Sequence, residues 1–285
     1  MSRRAFLSLG AIGAYALLDT VYGGPLSSLV GELYARAADR ERIRQAISKG
    51  LPLGVYSDRG TWSESVQACQ KMLEWMGHSV SLIDAYDTRN GGLQNLGMIV
   101  FPGGNMYQYA EDISSTGRAS IKRFVRNGAG YIGICGGAYL ASEKVMWQGR
   151  KLPMEPLGIF PGTAQGPIDE IVPYPEYGMC KVKIVEATHP ITRSELDHSW
   201  MLYYWGPALF PNAGANVTIL GMYDKVDWPM MLAFHYGVGR VFLIGAHPEI
   251  EEDSDRDGNL FAEEFDDQGS DWELMRRAVA WCLKK

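Results

Sequence analysis

The stretch Gly130-Tyr131-Ile132-Gly133-Ile134-Cys135-Gly136-Gly137-Ala138-Tyr139 runs an apolar segment straight into a cysteine bordered by small residues. A short, wholly apolar run suits a strand buried on both faces of a parallel sheet. The glycines that follow let the chain turn sharply into a helix, a junction that lifts the Cys135 sulfur above the sheet edge. There the sulfur meets a helix N-terminus, whose partial positive charge favours thiolate over thiol. The Gly136 amide would point to where an oxyanion forms. A Gly-rich turn with an idle cysteine is the competing reading, and the rest of the chain has to decide between them.

Around this junction strands and helices alternate. Leu51 to Ser57, His78 to Ala85 and Met98 to Phe101 read as strands. Ser63 caps a helix running to Met76, with Val66, Cys69, Leu73 and Met76 facing inward and Gly77 ending it. Ile121 to Arg126 belongs to another helix, stopped by Asn127-Gly128, and Ala138 to Val145 is the helix after Cys135. Such alternation implies a parallel sheet with right-handed crossovers. From Leu152 to Arg240, strand-like runs at 179–185, 217–222 and 230–234 are separated by Pro, Gly and aromatics, which predicts an antiparallel extension of the same sheet. Val241 to Gly245 is a late apolar strand, and a last helix covers 273–283 behind Ser270-Asp271-Trp272. The predicted fold class is α/β: a flavodoxin-like three-layer sandwich, mostly parallel, with an antiparallel extension.

Two further motifs bear on Cys135. Phe101-Pro102-Gly103-Gly104 ends a neighbouring strand. Its glycine pair, Gly103 and Gly104, can present another amide to the same oxyanion, at the strand ends where open α/β sheets bind ligands. His247-Pro248-Glu249 follows the late strand. A cysteine attacking an amide needs a base that later returns the proton to the leaving amine, and a carboxylate can hold that imidazole's tautomer. His78, His189, His198 and His235 lack a comparable position.

Taken in order, Pro-Gly-Gly, Gly-x-Cys-x-Gly and His-x-Glu resemble the class I glutamine amidotransferase-like superfamily. The closer resemblance is to the N-terminal domain of some eukaryotic biotin–protein ligases. It is carried by Val55-Tyr56-Ser57-Asp58-Arg59-Gly60, Phe124 to Tyr131, Thr188-His189-Pro190-Ile191 and Tyr203-Tyr204-Trp205-Gly206-Pro207. The likeness covers most of residues 51 to 283. It implies Cys135 as nucleophile, His247 as base, Glu249 as orienter, and Gly104 and Gly136 as oxyanion donors. No biotin- or ATP-site glycine signature is present, so biotin ligation is not expected. Two functions stay open: a cysteine hydrolase acting on a small-molecule amide or a peptide-like C–N bond, or a non-catalytic binding or regulatory module with loops around Trp62, Tyr107 and Trp205 holding a ligand. Neither needs a cofactor for catalysis.

The N-terminus adds a location. Ser2-Arg3-Arg4-Ala5-Phe6-Leu7, followed by a weakly apolar run to Leu18, resembles a twin-arginine export signal, and Ala35-Arg36-Ala37 offers a cleavage site before Ala38. The expected organisation is therefore a signal at 1–37, a linker helix at 38–50 and the amidotransferase-like domain at 51–285, with periplasmic or extracellular residence. An amphipathic helix on a cytoplasmic protein is the alternative. No apolar run is long enough to span a bilayer, and a net charge of −6 without basic stripes argues against nucleic acid. Cys69, Cys135, Cys180 and Cys282 include no C-x-x-C pair; a Cys69–Cys282 bridge is conceivable beside four free thiols. Finally, 253–264 fits D-x-D-x-D-G-x5-E, with Asp253, Asp255, Asp257, Asn259 and Glu264 as candidate calcium ligands. A solvated acidic loop is the competing reading.

Overall fold

The computed structural model describes residues 25–252, 254–266 and 268–284, so the twin-arginine string and Asp253 lie outside the described residues. Contacts divide the chain into two units, Met1–Arg42 and Ile43–Lys285. What is described of the first is the start of helix α1 (Pro25–Ser48), which continues without a break past Ala37. The second unit takes in the end of α1, where Ile43 and Ile47 join the core.

In that unit the elements follow as β1 (Leu53–Tyr56), α2 (Ser63–Trp75), β2 (Val80–Ile83), α3 (Ala85–Asn90), β3 (Met98–Phe101), α4 (Met106–Arg126), β4 (Gly130–Ile134) and α5 (Gly136–Ala141). Next come β5 (Ser142–Trp147), β6 (Arg150–Lys151), β7 (Phe160–Gly166), β8 (Gly178–Ile184), β9 (His198–Tyr203) and β10 (Ala208–Pro211). The last are β11 (Val217–Tyr223), β12 (Trp228–Tyr236), β13 (Gly239–Ile244) and α6 (Trp272–Cys282).

Nine strands form one sheet in the order β2-β1-β3-β4-β13-β12-β11-β8-β9. The pairings from β2 to β13 are parallel, and those from β13 to β9 are antiparallel. The central strands β1, β3 and β4 are buried throughout, as the apolar runs required. Alternation along each strand divides the core by face. Val55, Val100, Ile132 and Ile134 join α2 and α6, while Tyr56, Ile99, Phe101 and Tyr131 join α3, α4 and α5. The three-layer α/β fold with its antiparallel extension is therefore present.

Three details differ from the sequence expectation. The helix after Cys135 covers Gly136–Ala141 rather than 138–145. Ser142 Oγ donates to the Tyr139 carbonyl at 2.7 Å, satisfying a carbonyl at the helix end, and Val145 and Trp147 then continue as strand β5. The second strand is shorter than 78–85, because Asp84 caps α3 in a reciprocal box with Asp87. Residues 142–211 also build a second sheet, ordered β10-β7-β5-β6, that the reading as a single extension did not include. Its β7 alternates buried and half-buried residues and sets Phe160 against Phe234 of β12 at 5.9 Å.

Candidate active site

Strands β3, β4 and β13 end side by side, and the three motifs meet there. Cys135 leaves β4 at φ 46° and ψ −102°, a conformation side-chain-bearing residues rarely adopt. Its amide donates to the Ile244 carbonyl at 2.9 Å, and its own carbonyl accepts from Ala138 and Tyr139 at 3.0 Å each. Those bonds tie the junction to β13 and to α5. A Cβ on Gly136 would lie 2.4 Å from the Gly104 carbonyl oxygen, so glycine permits the two backbones to touch. Gly136 opens α5, leaving its amide without an intrahelical acceptor. Gly104 pairs with Thr61 in an isolated bridge. That bridge is made by Trp62 donating to Gly103 (3.0 Å) and Asn105 donating to Gly60 (2.8 Å), so it does not use the Gly104 amide.

His247 is buried just beyond β13. Its Nδ1 lies 2.9 Å from Glu249 Oε1, and its Nε2 lies 3.3 Å from the Tyr204 carbonyl. Cys135 Sγ lies 3.5 Å from that same carbonyl, so the sulfur and His247 Nε2 converge on one oxygen. Both ring nitrogens thus face acceptors. Burial works against a charged imidazolium here, but the Glu249 carboxylate and the Cys135 sulfur outweigh it and hold His247 well above its ordinary pKa of 6.5.

Two residues that sequence reasoning missed complete this chain of contacts. Ser65 Oγ, from the inward face of α2, donates to Glu249 Oε1 at 2.5 Å and accepts from the Gly103 amide at 2.8 Å. The only signal for Ser65 was a polar residue one turn before Cys69 on an otherwise apolar face. Tyr204 contributes its backbone carbonyl, which has no sequence signature. Gly103 takes a role other than the expected one. Its amide is engaged by Ser65, and a Cβ there would lie 2.6 Å from His247 Cε1. Its amide is therefore committed to Ser65, and its missing side chain leaves room for the imidazole.

Cys135 and His247 form the floor of a cavity of about 500 Å³ that also reaches Gly104. Trp62, Tyr107 and Trp205, the loop residues singled out for ligand binding, line it together with Tyr139, Trp147, Tyr174 and Tyr204. Trp62 packs edge-on against both Tyr204 (5.2 Å) and His247 (5.1 Å).

Of the candidate calcium residues, Asp255, Asp257, Asn259 and Glu264 are described. Asp257 is fully buried and accepts from the Glu251 amide, the Asn259 amide and Asn259 Nδ2. Burial raises its carboxyl above the ordinary value. Glu264 accepts from the Tyr177 hydroxyl at 3.0 Å, and Asp255 lies in a single 3₁₀ turn, Asp255–Asp257. Among the described residues no three His, Cys, Asp or Glu side chains gather as a metal site would require. Cys69 and Cys282 are both buried with free thiols.

Solved structures share this architecture at low sequence identity. A glutamine amidotransferase from Thermotoga maritima superposes with a TM-score of 0.52 at 12% identity, covering 82% of this chain and 99% of that one. A ThuA-like protein from Bacteroides uniformis gives 0.50 at 13%, covering 82% and 91%. These likenesses show a shared fold. The family described as "Biotin-protein ligase, N terminal" matches residues 52–277, and the chain belongs to that family. A biotin–protein ligase of Schizosaccharomyces pombe is 28% identical over 163 residues, 54% of this chain but 25% of the ligase. An uncharacterized protein of Chlamydia muridarum is 38% identical over 80 residues, 25% of this chain and 29% of that protein. The matches thus span under a third of either relative's length.

Proposed function

We propose that the protein is an exported cysteine hydrolase that cleaves a carboxamide or peptide-like C–N bond. The observation that carries this reading is the convergence of Cys135 Sγ and His247 Nε2 on the Tyr204 carbonyl, with Glu249 on Nδ1, at the floor of an open cavity. The Cys135 sulfur adds to the carbonyl carbon, and the oxyanion is met by the amides of Gly104 and Gly136. The C–N bond breaks as His247 gives its proton to the leaving amine. Water, deprotonated by the same imidazole, then hydrolyses the thioester, releasing a carboxylic acid and regenerating the thiol. The raised proton affinity of His247 suits the acid step, and Glu249, held by Ser65, keeps the ring turned towards the sulfur.

Iodoacetamide tests the nucleophile directly. Cys135 keeps 6% of its surface exposed at the cavity floor, whereas Cys69 and Cys282 keep none and burial pushes both of their thiols up. Cys180 is likewise buried with a raised thiol. Alkylation should therefore fall on Cys135 first; equal rates at all four positions would remove the basis for an activated nucleophile. Export rests on the twin-arginine string, and Arg3→Lys with Arg4→Lys should leave the precursor in the cytoplasm.

A second reading is a ligand-binding or regulatory module of the biotin–protein ligase N-terminal type. The aromatic walls of the cavity favour it, since they would hold a ligand whether or not Cys135 reacts. Cys135→Ala separates the two readings, by abolishing a turnover or by leaving binding as the sole activity.

A further inference from the structure

The cavity above Cys135 has a composition that bears on what it can accept. Its lining residues include no Asp, Glu, Lys or Arg, and His247 is the one ionisable base among them. Free glutamine carries an ammonium and a carboxylate at neutral pH. Burying either without a partner costs several kcal/mol, so a pocket built for that zwitterion supplies opposite charges. Apart from the His247 imidazole at the floor, the lining supplies none.

What the cavity supplies is a ladder of rings from four separate chain segments. Tyr139 contacts Trp147 (5.8 Å), Trp147 meets Tyr174 edge-on (6.1 Å, 86°), and Tyr174 lies 4.8 Å from Trp205. Trp205 continues to Tyr204 at 4.5 Å. The polar tips at the inner end are already paired: Tyr139 Oη donates to the Trp205 carbonyl (3.0 Å) and Trp205 Nε1 donates to the Glu176 carbonyl (3.1 Å). With those tips engaged, Tyr139 and Trp205 offer an incoming group ring surface in place of a free donor. Trp205 is also held at φ 60°. Bulky residues seldom adopt that conformation, and where they do they tend to form ligand clamps. Tyr174 is 42% exposed, Trp147, Tyr204 and Trp205 are half-buried, and aromatic surface left open in this way marks a binding site.

We propose that the cavity takes an uncharged aromatic acyl group, stacked in the ladder with its carboxamide carbon over Cys135, and discriminates against free glutamine. The inference rests on the hydrolase reading for the placement of the amide. Its volume, about 500 Å³, lies within the usual range for small-molecule sites.

Binding and reaction are tested separately. In Cys135→Ser protein, calorimetric titration should show N-acetyl-L-phenylalaninamide binding at least about tenfold more tightly than L-glutamine. Trp147→Ala should weaken the aromatic amide by about tenfold and leave glutamine unaffected. The exposed Tyr174→Ala serves as a second variant that does not disturb the core. Glutamine binding as tightly as the aromatic amide, no binding of either, or indifference of the aromatic amide to both variants would overturn the proposal. In wild type, the chloromethyl ketone of N-acetyl-phenylalanine should alkylate Cys135 faster than the chloroketone of glutamine. The reverse preference overturns the aromatic assignment and leaves the hydrolase standing. A retained binding preference with no alkylation by either reagent overturns the hydrolase reading alone.

Discussion

The floor of the cavity and its wall are built in opposite ways. The floor consists of three strand ends already paired in one sheet, with Cys135, Gly104 and His247 fixed by backbone hydrogen bonds and by glycines that admit no Cβ. The wall is assembled from side chains of β5, the 168–176 loop and the turn after β9, joined chiefly by ring contacts. On the proposed function, reactivity sits on the rigid part and selection on the part that substitution can change. Rigid strand ends hold reacting atoms to the tolerance that attack geometry requires.

The largest effect should come from the floor. Cys135→Ala should lower the turnover of every amide substrate alike, by about four orders of magnitude, in steady-state assays. A loss that varied strongly with the acyl group would mean that the wall takes part in the chemistry. Next, Gly136→Ala drives a methyl against the Gly104 carbonyl and should cost about 3 kcal/mol of stability in urea unfolding. A neutral result would show that the floor is softer than its contacts imply.

Ser65→Ala leaves the Gly103 amide and Glu249 each short of a partner. It should reduce kcat by about tenfold with a stability loss near 1 kcal/mol. A change confined to KM would place Ser65 with the wall. The smallest effect is in pH. His247 binds its proton more tightly folded than unfolded, where the ordinary 6.5 applies. That stabilisation is complete below 6.5 and is lost as pH rises through the elevated folded value, so Tm should decline across the window. His247→Gln should flatten the decline; a wild-type Tm rising over the same window would refute the charged imidazole.

The same division governs what could be read from the chain. The parallel half was legible because buried parallel strands are continuous apolar runs, and Met98–Phe101 and Gly130–Ile134 have those bounds in the structure. The floor was legible because its parts are short local motifs. The second sheet was not, because β7 pairs with β5 and β10 through register between distant segments, which local pattern does not report. Ser65 reaches Glu249 across 184 positions, and Tyr204 acts through a carbonyl every residue possesses. The D-x-D-x-D-G pattern shows how little a local match says about where side chains turn. It matches along the chain, yet Asp257 turns inward to neighbouring amides and Glu264 turns to Tyr177.

The second sheet has a consequence for how such a protein can diversify. Segment 142–211 carries Trp147, Tyr174 and Trp205, but it also supplies β8 and β9 to the main sheet, the Tyr204 carbonyl to Cys135 and His247, and the Leu202 carbonyl to the His247 amide. On the proposed function, a relative could re-address the cavity to another cargo only by varying β5, β7 and the loop that carries Tyr174, with β8, β9 and those two carbonyls kept as fixed posts.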